Sequence, residues 1–197
     1  MKIQKTLFVA ILFMFSLQVF AVEPACSRPT ELNCDYYQNC VESYLSCGSG
    51  GYALGYGRFY CQRFLDTNYT TYVGDQWRDA TLLCLQRELS LFLYFTPYRT
   101  KTCPIIKKYA YETHANCYVR PEQGRPELSI CYLPPADVLL TTQNLKAVDI
   151  LRWGGLKQMA QVARLCLDLL NHTKAMGPTL EEQKVLWQSI LDKDKQQ

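Results

Sequence analysis

The chain has 197 residues, 21 of them basic and 18 acidic, for a formal net charge of +3. A balance this even argues against nucleic acid or a polybasic membrane patch as the main partner. Ten cysteines beside only two histidines, with no C-x-x-C pair, argue against a zinc cluster or a thioredoxin-like centre.

Residues 1–21 read as a signal peptide. Lys2 and Lys5 make a basic start, Leu7 to Leu17 an apolar core, and Val19-Phe20-Ala21 puts small residues where cleavage requires them. The apolar run is shorter than the roughly 20 residues of a span, so no stable membrane anchor is expected. Removing 21 residues leaves 176, with 19 basic residues against 18 acidic, enough for one core and short for two domains. A single domain over residues 22–197 is the expectation. All ten cysteines fall within it, at Cys26, Cys34, Cys40, Cys47, Cys61, Cys84, Cys103, Cys117, Cys131 and Cys166. An even count in an exported chain implies a disulfide framework. The protein is therefore expected to be secreted and extracellular, or periplasmic or exported if its source is bacterial.

Thr30 to Leu45 reads as the first helix, with Leu32, Tyr36, Cys40 and Tyr44 recurring every four residues and Thr30 as N-cap. Gly48-Ser-Gly-Gly51 stops it, and Tyr52 to Gly57 reads as a continued flexible connection. A second helix takes in Tyr56, Phe59, Tyr60, Arg63 and Phe64 and ends near Asp66, before a polar loop from Asn68 to Gly74. In the third, Trp77, Thr81, Cys84, Leu85 and Leu89 form the apolar face of a 3.6-residue period. Pro97 ends its apolar continuation through Phe95. Cys103 to Tyr118 places Cys103, Ile106, Ala110, Thr113 and Cys117 on one side of a fourth helix.

Pro121 to Pro135 bracket an irregular loop carrying Cys131. Ala136 to Leu151 reads as one helix, Trp153-Gly-Gly155 as an interruption, and Leu156 to Leu170 as another amphipathic helix. Thr179 with Glu182 makes a capping box. A last helix packs Leu186, Trp187, Ile190 and Leu191, with a frayed tail after Asp192. Strand-type alternation is nearly absent, so the predicted fold class is all-α: a disulfide-rich single helical domain.

The most enzyme-like stretch is His114-Ala115-Asn116-Cys117-Tyr118. It resembles the His-Asp-x-Cys-Tyr motif of secreted phospholipases, in which the histidine activates a water and the aspartate holds calcium. Cys47-Gly-Ser-Gly-Gly51 resembles their calcium loop. Ala115 stands where the carboxylate belongs, and a methyl group cannot coordinate a hard cation. The glycine loop also precedes His114 by more than 60 residues, longer than that fold uses. Ser49 lies outside a G-x-S-x-G elbow, and Glu181-Glu182 suits a first helical turn better than catalysis. No metal and no cofactor are expected. Tyr52, Tyr56 and Tyr60 are candidates for a tyrosine-lined binding surface. Asn68-Tyr-Thr70 and Asn171-His-Thr173 are glycosylation sequons.

The order and spacing of the ten cysteines resemble those of the stanniocalcins, secreted, helical, hormone-like glycoproteins. The resemblance runs from Cys26 to Cys166. Tyr60-Cys61-Gln-Arg-Phe-Leu65, Gly74-Asp-Gln-Trp77, Leu83-Cys84-Leu85 and Asn116-Cys117-Tyr118 add to it. It implies the pairs Cys26 with Cys40, Cys34 with Cys61, Cys47 with Cys103, Cys84 with Cys117, and Cys131 with Cys166. It further implies a non-enzymatic regulatory protein whose partner is a receptor, a protease to be inhibited, or a component of calcium and phosphate regulation. The family dimerises through a cysteine nearer its C-terminus. None follows Cys166 here, so a homodimer would be non-covalent. The alternatives are a calcium-dependent phospholipase-like hydrolase using His114, and an exported effector with an unrelated target.

Overall fold

The computed structural model describes residues 24–97, 101–151, 153–172 and 178–195, which are mainly helical with no strand among them. The signal-peptide reading of residues 1–21 lies outside the described residues. A short helix α1 (Pro24–Ser27) leads into an extended strap. The segment Tyr37–Glu42 is π-helical and runs into α2 (Ser43–Leu45), and a second π-helical segment, Ala53–Arg58, runs into α3 (Phe59–Leu65). The long helices α4 (Tyr72–Phe95) and α5 (Cys103–Val119) follow. After them come α6 (Pro135–Gln143), α7 (Ala147–Leu151), α8 (Trp153–His172) and α9 (Pro178–Asp194).

The α4–α5 hairpin carries two hydrophobic cores, one at each end. Leu82, Leu89, Phe92 and Leu93 of α4, with Ile106 and Ala110 of α5, pack against the N-terminal segments through Tyr37, Val41, Tyr52 and Cys61. At the other end Trp77 of α4, with Ala115 and Val119 of α5, packs against Val138, Ala163, Leu170 and Trp187. Helix α4 also caps the end of α5. Helix ends leave carbonyls without intrahelical partners, and α4 supplies donors to those of α5: Trp77 Nε1 to the Tyr118 carbonyl at 2.9 Å and Thr81 Oγ1 to that of Cys117 at 3.4 Å.

Five disulfides brace this frame: Cys26–Cys40, Cys34–Cys61, Cys47–Cys103, Cys84–Cys117 and Cys131–Cys166. They are the five pairs named above. All ten cysteines of the chain are thereby used, which leaves no thiol for a covalent dimer.

The structure corrects several local expectations. Residues Thr30 to Asp35 are not helical. Asn33 Oδ1 accepts from the Asp35 amide at 2.9 Å, a local turn that competes with a helix. The strap's carbonyls are taken by α4 instead: Ser27 by Ser90 Oγ, Pro29 by Arg87 Nε and Asn33 by Gln86 Nε2. Tyr52 to Gly57 is a packed helical segment rather than a flexible link. Gly57 is glycine because the Tyr37 ring lies where a Cβ would go, 2.4 Å away.

Further along, α4 starts at Tyr72, within the expected loop, because Thr71 Oγ1 accepts from the Gly74 amide at 3.0 Å and caps it. The expected helix from Ala136 to Leu151 breaks after Gln143. There Asn144 Nδ2 reaches Thr67 Oγ1 at 2.7 Å, and the Lys146 amide donates to Tyr60 Oη. Gly154 and Gly155 lie inside α8, not between helices. Helix α9 begins at Pro178, so Thr179 sits within its first turn rather than at the cap. The helix continues past Asp192 to Asp194, whose carboxylate pairs with Arg164 of α8 at 3.5 Å.

Candidate functional site

His114, the residue most suggestive of chemistry, sits on the buried face of α5, one turn before Cys117. It is 2 % exposed. Around it stand Tyr52, Tyr56, Tyr111 and Tyr118, with ring centroids 5.7 to 6.3 Å from the imidazole. Its Nε2 shares a hydrogen bond of 3.2 Å with Tyr52 Oη, and its Nδ1 has no partner. Burial among rings disfavours the imidazolium and lowers the pKa to about 4, with the Gln158 side chain pulling weakly the other way. The imidazole is neutral at ordinary pH.

The tyrosines belong to the same enclosure. Tyr52 and Tyr60 are buried and Tyr56 half-buried, so the expected exposed tyrosine surface is an internal ring stack. A spacing of four residues over-rotates on an α-helix and under-rotates on a π-helix. Across the mixed segment the two errors offset, and the rings stay on one side. Tyr52 and Tyr56 stack at 5.8 Å, and Tyr56 and Tyr60 meet at 4.5 Å. Burial raises the pKa of Tyr52, Tyr56 and Tyr118 above the ordinary phenol value and that of Tyr60 to about 12, so these hydroxyls stay protonated. Tyr60 Oη donates to Asp149 Oδ2 at 2.5 Å, which ties the α6–α7 break to α3.

Tyr37, Tyr52, Tyr56, Tyr60, His114 and Tyr118 are among the residues lining a cavity of about 30 Å3. Across Tyr56, Tyr118 and Leu145 lies a second, of about 60 Å3, reaching Trp187. Such volumes hold a few waters. No carboxylate lines the first cavity.

The remaining candidates are scattered. Ser49 and Gly50 are exposed, and Cys47 is tied to Cys103 at the start of α5. Ala115 is wholly buried. His172 is exposed at the end of α8, its Nδ1 2.7 Å from the Asp168 carbonyl. Asn68 and Asn171 are both exposed, while Thr173 of the second sequon lies outside the described residues. Among the described residues no group of three or more His, Cys, Asp or Glu side chains could hold a metal ion, and no helix is long and apolar enough to cross a membrane.

Asp137 and Gln86 are among the buried polar residues that local periodicity does not mark. Asp137, fully buried in the first turn of α6, accepts from the Thr70 amide at 2.7 Å, from Thr70 Oγ1 at 2.6 Å and from Thr71 Oγ1 at 2.5 Å. Gln86, fully buried on α4, donates Nε2 to the Asn33 carbonyl at 2.9 Å. Asp137 resembles any acid in a helical first turn, and Gln86 lay unremarked in the run that carries the apolar stripe. No protein-family model, no curated protein and no solved structure matches this chain.

Proposed function

We propose that this is a secreted, non-enzymatic regulatory or binding protein of stanniocalcin-like type, acting through its helical surface on a protein partner. The observation that carries the reading is the sealing of His114. The chain's most enzyme-like histidine is neutral, ringed by tyrosines and only 2 % exposed. Five bridges meanwhile hold a helical frame whose outer face carries large apolar side chains. Tyr72 and Phe95, at opposite ends of α4, are each about three-quarters exposed, at 75 % and 74 %. Aromatic side chains presented on a rigid scaffold are the usual anchors of protein interfaces. The disulfide pairing and the all-α fold also accord with the resemblance.

The experiment is a pull-down with the oxidised protein against a reduced and alkylated control. The reading expects a partner held by the oxidised form and lost from the control, with weaker retention by Tyr72→Ala or Phe95→Ala. A partner retained equally by the unfolded control, or none above background, overturns it. A parallel assay on phospholipid vesicles with calcium expects no hydrolysis. Calcium-dependent hydrolysis abolished by His114→Ala would establish the hydrolase instead.

A further inference from the structure

A groove of about 470 Å3 runs beside α5 and the first turns of α8, lined among others by Pro104, Lys107, Lys108, Tyr111, Lys157 and Gln161. Its volume falls within the range of small-molecule sites. Asp149, Gly155 and Gln158 line this groove and also the cavity of about 60 Å3 described above, so the two spaces adjoin. All three residues are half-buried rather than sealed, and Gly155 brings no side chain to the junction.

The two spaces differ in chemistry. The outer groove holds three lysines and two carboxylates, and both carboxylates are engaged. Glu112 pairs with Lys108 at 3.8 Å, and Asp149 accepts from Tyr60 Oη at 2.5 Å. Lys107 and Lys157 are exposed and have no carboxylate partner among the described residues, and the Lys107 ammonium lies 6.0 Å from the centre of the Tyr111 ring. The groove is therefore net positive, with two ammonium groups free to take an anion. The inner cavity is walled largely by apolar side chains: Ile130, Val138, Leu145, Met159, Val162 and Ile190. Leu145, Met159 and Ile190 are themselves half-buried, so this space too is not closed off. At about 60 Å3 it is well below the roughly 150 Å3 of a cavity that takes up benzene, which suits a slim, unbranched chain end and not a ring.

We infer that these adjoining spaces bind a free alkyl carboxylate of medium chain length. Its carboxylate sits between Lys107 and Lys157, its first carbons lie along Tyr111 and Gly155, and its last few carbons enter the inner cavity beside Met159, Val162 and Trp187. Burial of the chain supplies most of the affinity, and the lysines select the sign of the headgroup. Asp149, at the junction, meets the uncharged chain and not the headgroup. Neither Tyr72 nor Phe95 lines either space, so this binding is separate from that of the proposed protein partner.

The test is an NMR titration of the oxidised protein with sodium octanoate, with 1-octanol and octylammonium chloride as its neutral and cationic counterparts. The expected result is a saturable shift of the Gly155 amide and of the Trp187 indole with octanoate, about tenfold weaker binding of octanol, and none of octylammonium. Hexanoate is expected to bind about tenfold more weakly than octanoate, since two methylenes leave the apolar space. Lys107→Gln and Lys157→Gln, both at exposed positions where folding is undisturbed, are each expected to weaken octanoate about threefold and to reduce its salt dependence. Non-saturating shifts, equal affinity for octanol, no effect of chain length, or affinity unchanged in both lysine variants overturn the inference. With phosphatidylglycerol vesicles the protein is expected to stay in the supernatant on sedimentation. Co-sedimentation lost on Lys107→Gln would make the groove a membrane contact and overturn it as well.

Discussion

At the scale of the residue, His114 shows how burial turns a catalytic side chain into a structural one. An imidazole in water titrates near neutrality. Enclosed by Tyr52, Tyr56, Tyr111 and Tyr118 it has no solvent to stabilise its charge, and its pKa falls to about 4. Between about pH 6.5 and 4 the unfolded chain therefore binds a proton that the folded chain does not, and stability falls as pH falls. His114's contribution is whole above pH 6.5 and is lost progressively down to about pH 4, a difference of roughly 3 kcal/mol. Denaturant unfolding of the wild type and of His114→Phe across this window is the check. The variant is expected to show the shallower decline with acid, and parallel curves would mean that His114 does not titrate on unfolding.

At the scale of the element, two junctions are set by single side chains. The start of α4 is docked on α6 through Asp137, and Gly74 lets them meet: a Cβ there would lie 2.6 Å from Asp137 Oδ2 and 2.8 Å from Tyr69. Alanine is worth up to about 1 kcal/mol over glycine in an open helix, but overpacking costs about 1–3. Gly74→Ala is expected to destabilise by roughly 1–2 kcal/mol, where helix propensity alone predicts a gain. Thermal unfolding distinguishes the two signs. The α6–α7 break leans on Tyr60, which donates to Asp149 and accepts from the Lys146 amide. Tyr60→Phe removes both bonds at once. It is expected to cost about 1–3 kcal/mol and to speed amide exchange at Lys146 while leaving that of α4 slow.

For the whole molecule, the organising fact is a hairpin with a core at each end and unequal bracing. Three bridges lie toward the N-terminal core, Cys84–Cys117 ties α4 to α5, and Cys131–Cys166 alone serves the C-terminal core. Cys47–Cys103 joins two half-exposed cysteines 56 residues apart, whereas every other bridge has at least one buried end. Under limiting reductant it is expected to open first, seen as preferential alkylation of Cys47 and Cys103 by mass spectrometry. Its removal in a paired serine variant is expected to cost about 3–4 kcal/mol. Preferential labelling of Cys131 and Cys166 instead would mean that opening of the C-terminal half, rather than solvent access, governs reduction.

The helical class, the long third and fourth helices, and the stop at Pro97 were legible in the chain itself. They rest on local periodicity and on proline's missing donor, which act over a few residues. The first helix was overextended and the helix after Pro135 drawn too long, because their boundaries are decided by partners far along the chain. Gln86 takes the strap's carbonyl, and Tyr60 takes the Lys146 amide. The tyrosines at 52, 56 and 60 carry no mark in their spacing that separates an outer surface from an inner one. His114 likewise reads the same whether it faces solvent or a ring cage. Sequence by itself determined the long central helices, through local periodicity, and pointed to bridged cysteines, through an even count without a C-x-x-C pair. Only the tertiary structure decided which side chains are sealed and which polar atoms go unpaired, because burial belongs to the packing of distant segments.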